Sequence, residues 1–562
     1  MMATQQASGM KPIVRPIRWL IVLAGMAVLS WPAQTPAAEV INPIRLNTVG
    51  FLPELPKQAT IAMACTNFQL VRSRNGTVLF SGTVSGPNWN SDTAENLFTA
   101  DFSSVRESGE FTLRVPGVGE SAPFTIHPGA FTSTYRTAML GMYLWRCGTA
   151  VSATCEGRTF AHDACHTNDA GLDFTGGKGF HDATGGWHDA GDFNKYVVNA
   201  GVSVGVMLRA WEDFSGALKS LKLQLPPETN AVPDYLREVK WELDWLLKMQ
   251  AADGSVYHMV SARKFDRFEM PEDEVEPRYF SSWSSAATAL TAAMLAQAAR
   301  DYRPFDAAFA DRCLQAAQLS YAFLAQHPGR QPTDRQPFST GIYQIRSESG
   351  RLWAAAELWE STGHTNYLHD FETVAQNLDQ PVAPEFDYGD VRDLAMFTYL
   401  SSHHPGRDPG LVRSVSQALQ DAADEVVANA TAEGYARPLG TKYFWGCNGT
   451  VARQTALLHA AEKISANPKY RTTALGALNY LLGRNYFGRS FVTGVGFEPP
   501  LHPHDRLSAS LDLGVPCPGR LVGGPQPGAR DWADSQADFT RNEIAINWNT
   551  ALIYALAEFL PE

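Results

Sequence analysis

The chain has 562 residues, 44% of them hydrophobic and 19% charged, with a formal charge of −12. This length supports more than one domain, and the apolar content excludes a disordered chain. The acidity excludes the electrostatic footprint of a nucleic-acid or anionic-lipid binder, and seven cysteines are too few for a disulfide-built scaffold.

Lys11, Arg15 and Arg18 precede an apolar run from Trp19 to Leu29, with small residues around Ala37 and Ala38. This is the pattern of a secretory signal peptide over residues 1–38; a run of about eleven apolar residues is short for a bilayer span, so an uncleaved anchor is the weaker reading. Cleavage removes three of the 46 basic residues and no acid, leaving 43 Lys+Arg against 58 Asp+Glu, or −15. The mature chain is expected to be exported, secreted or periplasmic, as a monomer with no stable membrane anchor and no nucleic-acid partner.

From Val40 to about Pro128 the apolar segments are short and β-like: 59–64, 68–71, 77–80 and 111–115. Turn residues punctuate them at Arg74-Asn-Gly, Ser85-Gly-Pro, Ser108-Gly and Pro116-Gly, a spacing that predicts a β-sandwich over 39–128. After about Ala130 the period becomes helical. Tyr235, Val239, Leu243 and Leu246 share one face behind Pro233-Asp234, and twelve helical segments are predicted near 131–145, 194–214, 233–250, 283–301, 306–326, 351–361, 366–377, 389–402, 411–428, 448–463, 469–482 and 542–560. Twelve helices fit a barrel of six inner and six outer helices over 129–562. An α-solenoid would give the same count, but no short repeat is visible.

Three constellations carry chemistry. In Gly185-Gly-Trp-His-Asp-Ala-Gly-Asp192, Asp189 and Asp192 stand three apart before a helix, placed either to share a cavity and deprotonate a water or to cap that helix and meet solvent. In Trp532-Ala-Asp534-x4-Phe539-x3-Glu543, Glu543 opens an apolar helix, where desolvation favours its protonated form and suits a general acid; a favourable first-turn charge is the alternative. A Gly/Pro-rich loop ends in His504-Asp-Arg506, which can meet a hydroxylated ligand or be purely structural. Separately, Cys147, Cys165, His166 and His188 offer two thiolates and two imidazoles, a tetrahedral zinc set, unless Cys147 and Cys165 form a disulfide after export.

Taken together, and with Trp353-Ala-Ala-Ala-Glu, Trp445-Gly-Cys-Asn-Gly and Tyr480-Leu-Leu-Gly-Arg-Asn, these motifs resemble the family 9 glycoside hydrolases, the inverting cellulases, from about 131 to 562. Ile44-Arg-Leu-Asn-Thr-Val-Gly-Phe-Leu-Pro is similar to the start of the immunoglobulin-like module in one branch of that family. The resemblance implies an immunoglobulin-like β-sandwich followed by an all-α (α/α)6 barrel. It implies Asp192 as base, Asp189 as its companion on the water and Glu543 as acid. His504 and Arg506 match sugar-contacting residues, Asp534 falls with the substrate-binding set, and Cys147, Cys165, His166 and His188 match a structural zinc site. The acidic pair with which many relatives bind calcium reads Ser349-Gly350 here, so a calcium site is left open. Glu498 also departs from the family pattern, which has Asn or a basic residue there.

The implied activity is hydrolysis of β-1,4-glucan or cello-oligosaccharides by an endo-β-1,4-glucanase with inversion. An exo-acting β-glucosidase, cellobiohydrolase or exo-β-glucosaminidase is the alternative, and a non-catalytic sugar-binding protein is disfavoured by the three retained carboxylates. Trp187, Trp283, Trp445 and Trp548 are candidates to stack on pyranose rings, although most Trp in a helical barrel belong to its core.

Overall fold

The computed structural model describes residues 41–173, 180–223, 225–226, 231–345 and 347–561, so the signal segment expected over 1–38 lies outside the described residues. Nine strands lie between Ile44 and Ile126: β1 (Ile44–Arg45), β2 (Gly50–Phe51), β3 (Gln58–Ile61), β4 (Asn67–Arg72), β5 (Val78–Asn90), β6 (Glu95–Asp101), β7 (Gly109–Val115), β8 (Gly119–Glu120) and β9 (Phe124–Ile126). Their order is β1-β3-β6-β5-β4-β7-β9-β2, with β8 on β7. Strand β5 joins the two layers. Its first half pairs with β4, its second half with β6, and the register shifts between Ser85 and Asn88. The Ser85-Gly-Pro segment, read from sequence as a turn, is therefore a bulge that bends one long strand from sheet to sheet, a role that proline and glycine also fill. Alternate residues of β4 and β7 bury Phe68, Leu70, Phe111, Leu113 and Val115 between the layers.

All twelve long helices are present: α1 (Thr132–Tyr143), α2 (Val197–Ser220), α3 (Asp234–Met249), α4 (Ser285–Tyr302), α5 (Ala307–Gln326), α6 (Ser347–Thr362), α7 (Thr365–Ala375), α8 (Arg392–Ser401), α9 (Pro409–Ala432), α10 (Cys447–Ile464), α11 (Pro468–Leu481) and, after two short turns α12 (Arg506–Ser510) and α13 (Phe539–Asn542), α14 (Ile546–Ala557). Several begin on a side-chain cap. Ser284 accepts from Ala287 N (3.0 Å), Asp306 from Phe309 N (3.0 Å) and Asp408 from Leu411 N (2.8 Å), the last followed by Pro409 in the first helical turn.

Helices α2, α4, α6, α8, α10 and α14 form the inner ring, and α1, α3, α5, α7, α9 and α11 pack outside it. The inner helices are buried almost all round, so small residues set their spacing. A Cβ on Gly205 of α2 would lie 2.5 Å from the Trp353 indole of α6, closer than any side chain tolerates. Between α8 and α10, Arg453 donates to Phe386 O (2.8 Å) and pairs with Asp387 (2.9 Å). Among the described residues no helix is long and apolar enough to cross a membrane.

The region after residue 130 is not purely helical. Between α1 and α2 the chain makes a hairpin, β10 (Val151–Cys155) with β11 (Arg158–His162), and then β12 (Ala170–Asp173), β13 (Phe180–Asp182) and β14 (Lys195–Tyr196). These last three join β15 (Met259–Ala262) and β16 (Arg278–Phe280) in the order β13-β12-β16-β15-β14. Strands of two to five residues leave little period in a sequence, and their ladder partners here are up to about a hundred residues away.

The sandwich is fastened to the barrel by buried polar contacts. Arg45 forms a two-pronged pair with Glu95 (2.8 Å each), and Tyr435 donates to the same carboxylate (2.8 Å). Thr48 N and Oγ1 both donate to Leu482 O (3.0 and 2.8 Å), and Asn90 donates to Glu433 (2.9 Å). Arg45→Ala leaves Glu95 without its cation, so it is expected to cost about 3 kcal/mol. Urea denaturation is expected to show the Arg45→Ala/Glu95→Ala double variant losing less than the sum of the single losses.

Candidate active site

Residues 185–194 form a loop that enters α2, and the backbone pins it on several sides. Cys147 N donates to Gly186 O (2.8 Å), His188 N to Trp145 O (2.8 Å), Asp189 N to Asn194 O (3.0 Å) and Ile546 N, the first amide of α14, to Asp189 O (3.0 Å). Asp189 accepts from Asn199 Nδ2 (2.8 Å) and from the Tyr343 hydroxyl (2.6 Å). Asp192 Oδ2 accepts from Asn194 Nδ2 (2.5 Å) and lies 3.5 Å from the Tyr196 hydroxyl. Asn194 is itself oriented, since its Oδ1 accepts from Ala262 N (3.0 Å).

Glu543 does not open the helix as the apolar periodicity predicts. Ala545 is the N-cap of α14, and Glu543 lies in the extended residues before it. The physical cause is a short ladder: His504 pairs with Glu543 and Val522 with Ile544, and Gly523 N donates to Glu543 O (2.9 Å). Ile544 is thereby buried outside the helix. The half-buried Glu543 side chain faces the loop aspartates across a cleft of about 270 Å³ lined by Asp189, Asp192, Tyr343, Trp445, Glu543 and Trp548. Of the four candidate stacking tryptophans, Trp445 and Trp548 line this cleft. Trp187 is buried and donates to Glu238 (3.0 Å), and Trp283 packs on Phe323 and His327.

Burial pushes the Glu543 carboxyl well above the usual range, and the nearby Asp192 and Asp189 charges add to the shift. Burial and the Asp192 charge do the same to Asp189. Burial also raises Asp192, but the Arg506 guanidinium and the Asn194 hydrogen bond oppose the shift. Asp192 is thus the aspartate of the pair whose anion is supported by a facing cation.

The loop carrying His504 and Arg506 lies directly on the 185–194 loop. A Cβ on Gly191 would sit 2.3 Å from His504 O, and Arg506 N donates to Gly191 O (3.1 Å), so only glycine permits this approach. Arg506 is 5% exposed and pairs with Glu274 (3.2 Å). His504 Nδ1 bonds Gln536 O (2.7 Å), and its ring packs against Phe268 and Phe539. Asp534, grouped from sequence with the substrate-binding residues, is taken up by the protein. Its carboxylate accepts from Leu501 N (2.7 Å), His502 N (2.9 Å) and Asn542 Nδ2 (3.0 Å), which staples the His504 loop beside Glu543. Glu498 is exposed in this loop, its carbonyl accepting from Arg489 (2.7 Å).

Cys147, Cys165, His166 and His188 converge, one ligand atom from each lying within 4.8 Å of the others, and all four are buried. The two cysteines are free thiols, not a disulfide. Cys147 Sγ lies 3.5 Å from His166 Nδ1, and Cys165 Sγ 3.6 Å from His188 Nε2. The other nitrogen of His166 bonds Glu274 (2.9 Å), the carboxylate–imidazole pairing that orients metal-bound histidines. This donor set and its spacing fit a tetrahedral metal ion.

A family model described as glycosyl hydrolase family 9 matches residues 131–556, and one described as the cellulase N-terminal ig-like domain matches residues 39–120. The chain belongs to glycosyl hydrolase family 9. It is 50% identical over 521 residues to Endoglucanase D of Acetivibrio thermocellus, covering 92% of this chain and 83% of that protein. It is 32% identical to a xyloglucan-specific endo-beta-1,4-glucanase of Bacteroides ovatus, over 98% of each. A crystal structure of a metagenome-derived glycoside hydrolase family 9 endoglucanase superposes with a TM-score of 0.87 at 34% identity, covering 92% of this chain and 98% of that one. As a member of family 9 this protein is a glycoside hydrolase with an immunoglobulin-like module and an (α/α)6 barrel.

Several residues of this family 9 site escape a reading of the sequence. Asn194 and Asn199 follow Asp189 closely, and an amide near a carboxylate at a helix start is a weak local signal. Tyr343 and Glu274 carry none, because they reach the site from 154 residues beyond Asp189 and 108 beyond His166. The same geometry yields a test for Asp534. Asp534→Ala frees two backbone amides and is expected to lower kcat/KM about 10- to 100-fold by releasing the His504 loop, with a drop in melting temperature. Unchanged kinetics on a soluble β-glucan would contradict the stapling role.

Proposed function

We propose that this family 9 hydrolase is an exported endo-acting β-1,4-glucanase that works with inversion. The observation that carries the reading is the cleft shared by Asp189, Asp192 and Glu543, with the carboxyl of Glu543 pushed well above the usual range by burial and that of Asp192 supported as an anion by Arg506. Glu543 donates its proton to the glycosidic oxygen as the C1–O bond breaks. Asp192 takes a proton from a water attacking C1 from the opposite face, and Asp189 helps hold that water. Trp445, 48% exposed at the cleft, offers a stacking surface for a sugar ring. His504 and Arg506 lie behind the lining of the cleft and not in it, with Arg506 acting through Asp192. The 50% identity to an endoglucanase supports endo action on β-1,4-glucan.

Zinc is the ion that best suits two thiolates and two imidazoles. Cys147, Cys165, His166 and His188 would hold it, and it would supply no chemistry to the sugar but would cross-link the loops between α1 and α2 and brace the loop at Asp189, the residue after His188. Glu274 extends that brace, since one carboxylate holds both His166 and Arg506.

Asp192→Ala and Glu543→Gln are each expected to lower kcat by roughly 10²–10⁴-fold with the circular dichroism of the native fold retained; near-normal turnover in either would sink the assignment. Activity requires Asp192 ionised and Glu543 protonated, so it falls below the first pKa and above the second. Arg506→Gln removes the cation that lowers Asp192, so the acid limb of the kcat/KM profile is expected to move to higher pH. Polarimetry and product analysis on carboxymethyl-cellulose, xyloglucan, cello-oligosaccharides and chitosan oligomers test the remainder: α-configured products with a rapid viscosity drop are expected, whereas release of single end units would overturn endo action. Cys165→Ser is expected to lose zinc and to lower both the melting temperature and kcat.

A further inference from the structure

A second group of metal-ligating side chains lies on the seam between α10 and α14, away from the cleft. His459 and Glu462 are three apart on α10 and share a face. Glu558 is the C-cap of α14. One ligand atom from each lies within 4.8 Å of the others. Glu543 precedes the first turn of α14 and Glu558 follows its last, so the length of that helix, about 18 Å, separates this cluster from the catalytic carboxyl.

The observation that asks for a ligand is Glu558. It is 9% exposed, and both its carboxylate oxygens are shielded from solvent and accept no hydrogen bond. A dehydrated carboxylate with a second carboxylate beside it is strongly disfavoured unless positive charge meets it. Arg471 is the cation whose charge reaches Glu558, but its guanidinium lies over the Phe559 ring (5.6 Å) and donates no hydrogen bond to either oxygen, while Lys463 (3.0 Å) and Arg209 (2.5 Å) pair with Asp213. The His459 ring is fixed edge-on against Phe214, with centroids 4.7 Å apart, and its Nε2 is 3.9 Å from Asp213.

We infer that His459, Glu462 and Glu558 form a second metal site, taking a first-row divalent ion such as zinc through one imidazole nitrogen and two carboxylates. An imidazole donor disfavours calcium and magnesium, which take oxygen ligands, and three protein ligands leave a fourth position for water. The ion neutralises the two carboxylates and ties the trailing turns of two inner-ring helices whose leading ends carry Trp445 and Glu543. It is a structural bolt on the helix that follows the catalytic acid.

Cobalt substitution of the full-length protein separates the two sites, because only the Cys147/Cys165 cluster gives thiolate-to-metal charge-transfer absorption. Native mass spectrometry with added Zn²⁺ counts them. Two ions per chain are expected in the natural protein and in Cys165→Ser one, without charge-transfer absorption. Glu558→Gln and His459→Ala are expected to keep the charge-transfer band, to retain one ion, and to bind the second at least a hundredfold more weakly. Added Zn²⁺ should raise the melting temperature of Cys165→Ser and not of Cys165→Ser/Glu558→Gln. A natural protein that binds one ion, or a Glu558→Gln variant that is more stable and binds metal unchanged, would overturn the site and identify Glu558 as a protonated core carboxyl.

Discussion

The structure depends on holding three carboxyls, two of them buried, next to one another. Asp189 and Asp192 are nearly buried and Glu543 is half-buried, so each raises the cost of charging the others. The fold tolerates this because it supplies fixed donors for two of them: Tyr343 and Asn199 to Asp189, Asn194 to Asp192. Glu543 also meets donors, the Gly191 amide and the Trp445 indole, but burial and the two aspartate charges outweigh them and push its carboxyl well above the usual range. The proposed acid and base are thus carboxyl side chains that differ mainly in what the protein places around them.

That arrangement requires a rigid 185–194 loop, and the surrounding parts of the molecule converge on it. The first amide of α14 bonds Asp189 O, the His504 loop presses on Gly191, and the Cys/His cluster holds His188. Glu274 joins the cluster to Arg506, and Arg506 faces Asp192. Glu274 thus ties the cation that supports the Asp192 anion to the cluster that braces its loop, although its own charge opposes that anion. The sandwich acts further out, clamping residues 433–435 and 482–484 near the ends of the outer helices α9 and α11.

Much of the fold was legible because period reports burial. The inner helices are apolar enough to be seen as helices, whereas the close packing at Gly205 shows only in the structure. Boundaries were less legible. α9 begins at Pro409, set by the Asp408 cap, two residues before its apolar period starts. Ser85-Gly-Pro has turn chemistry, yet the demand of β5 to pair with two different sheets made it a bulge. The residues before α14 look helical by period, but pairing with His504 and Val522 holds them extended.

The amino-acid sequence alone marks the side chains that are proposed to do the chemistry. The Asp189/Asp192 spacing, Glu543, and the two cysteines and two histidines are local patterns, and local patterns survive in one dimension. Tertiary structure decided what those groups are next to. It turned Asp534 from a ligand candidate into a staple, buried Arg506 beside Asp192, and brought Tyr343 and Glu274 from distant segments. The reason is physical: a residue's type fixes which bonds it can make, whereas its pKa and its partners are set by burial and by neighbours that the chain brings together only by folding.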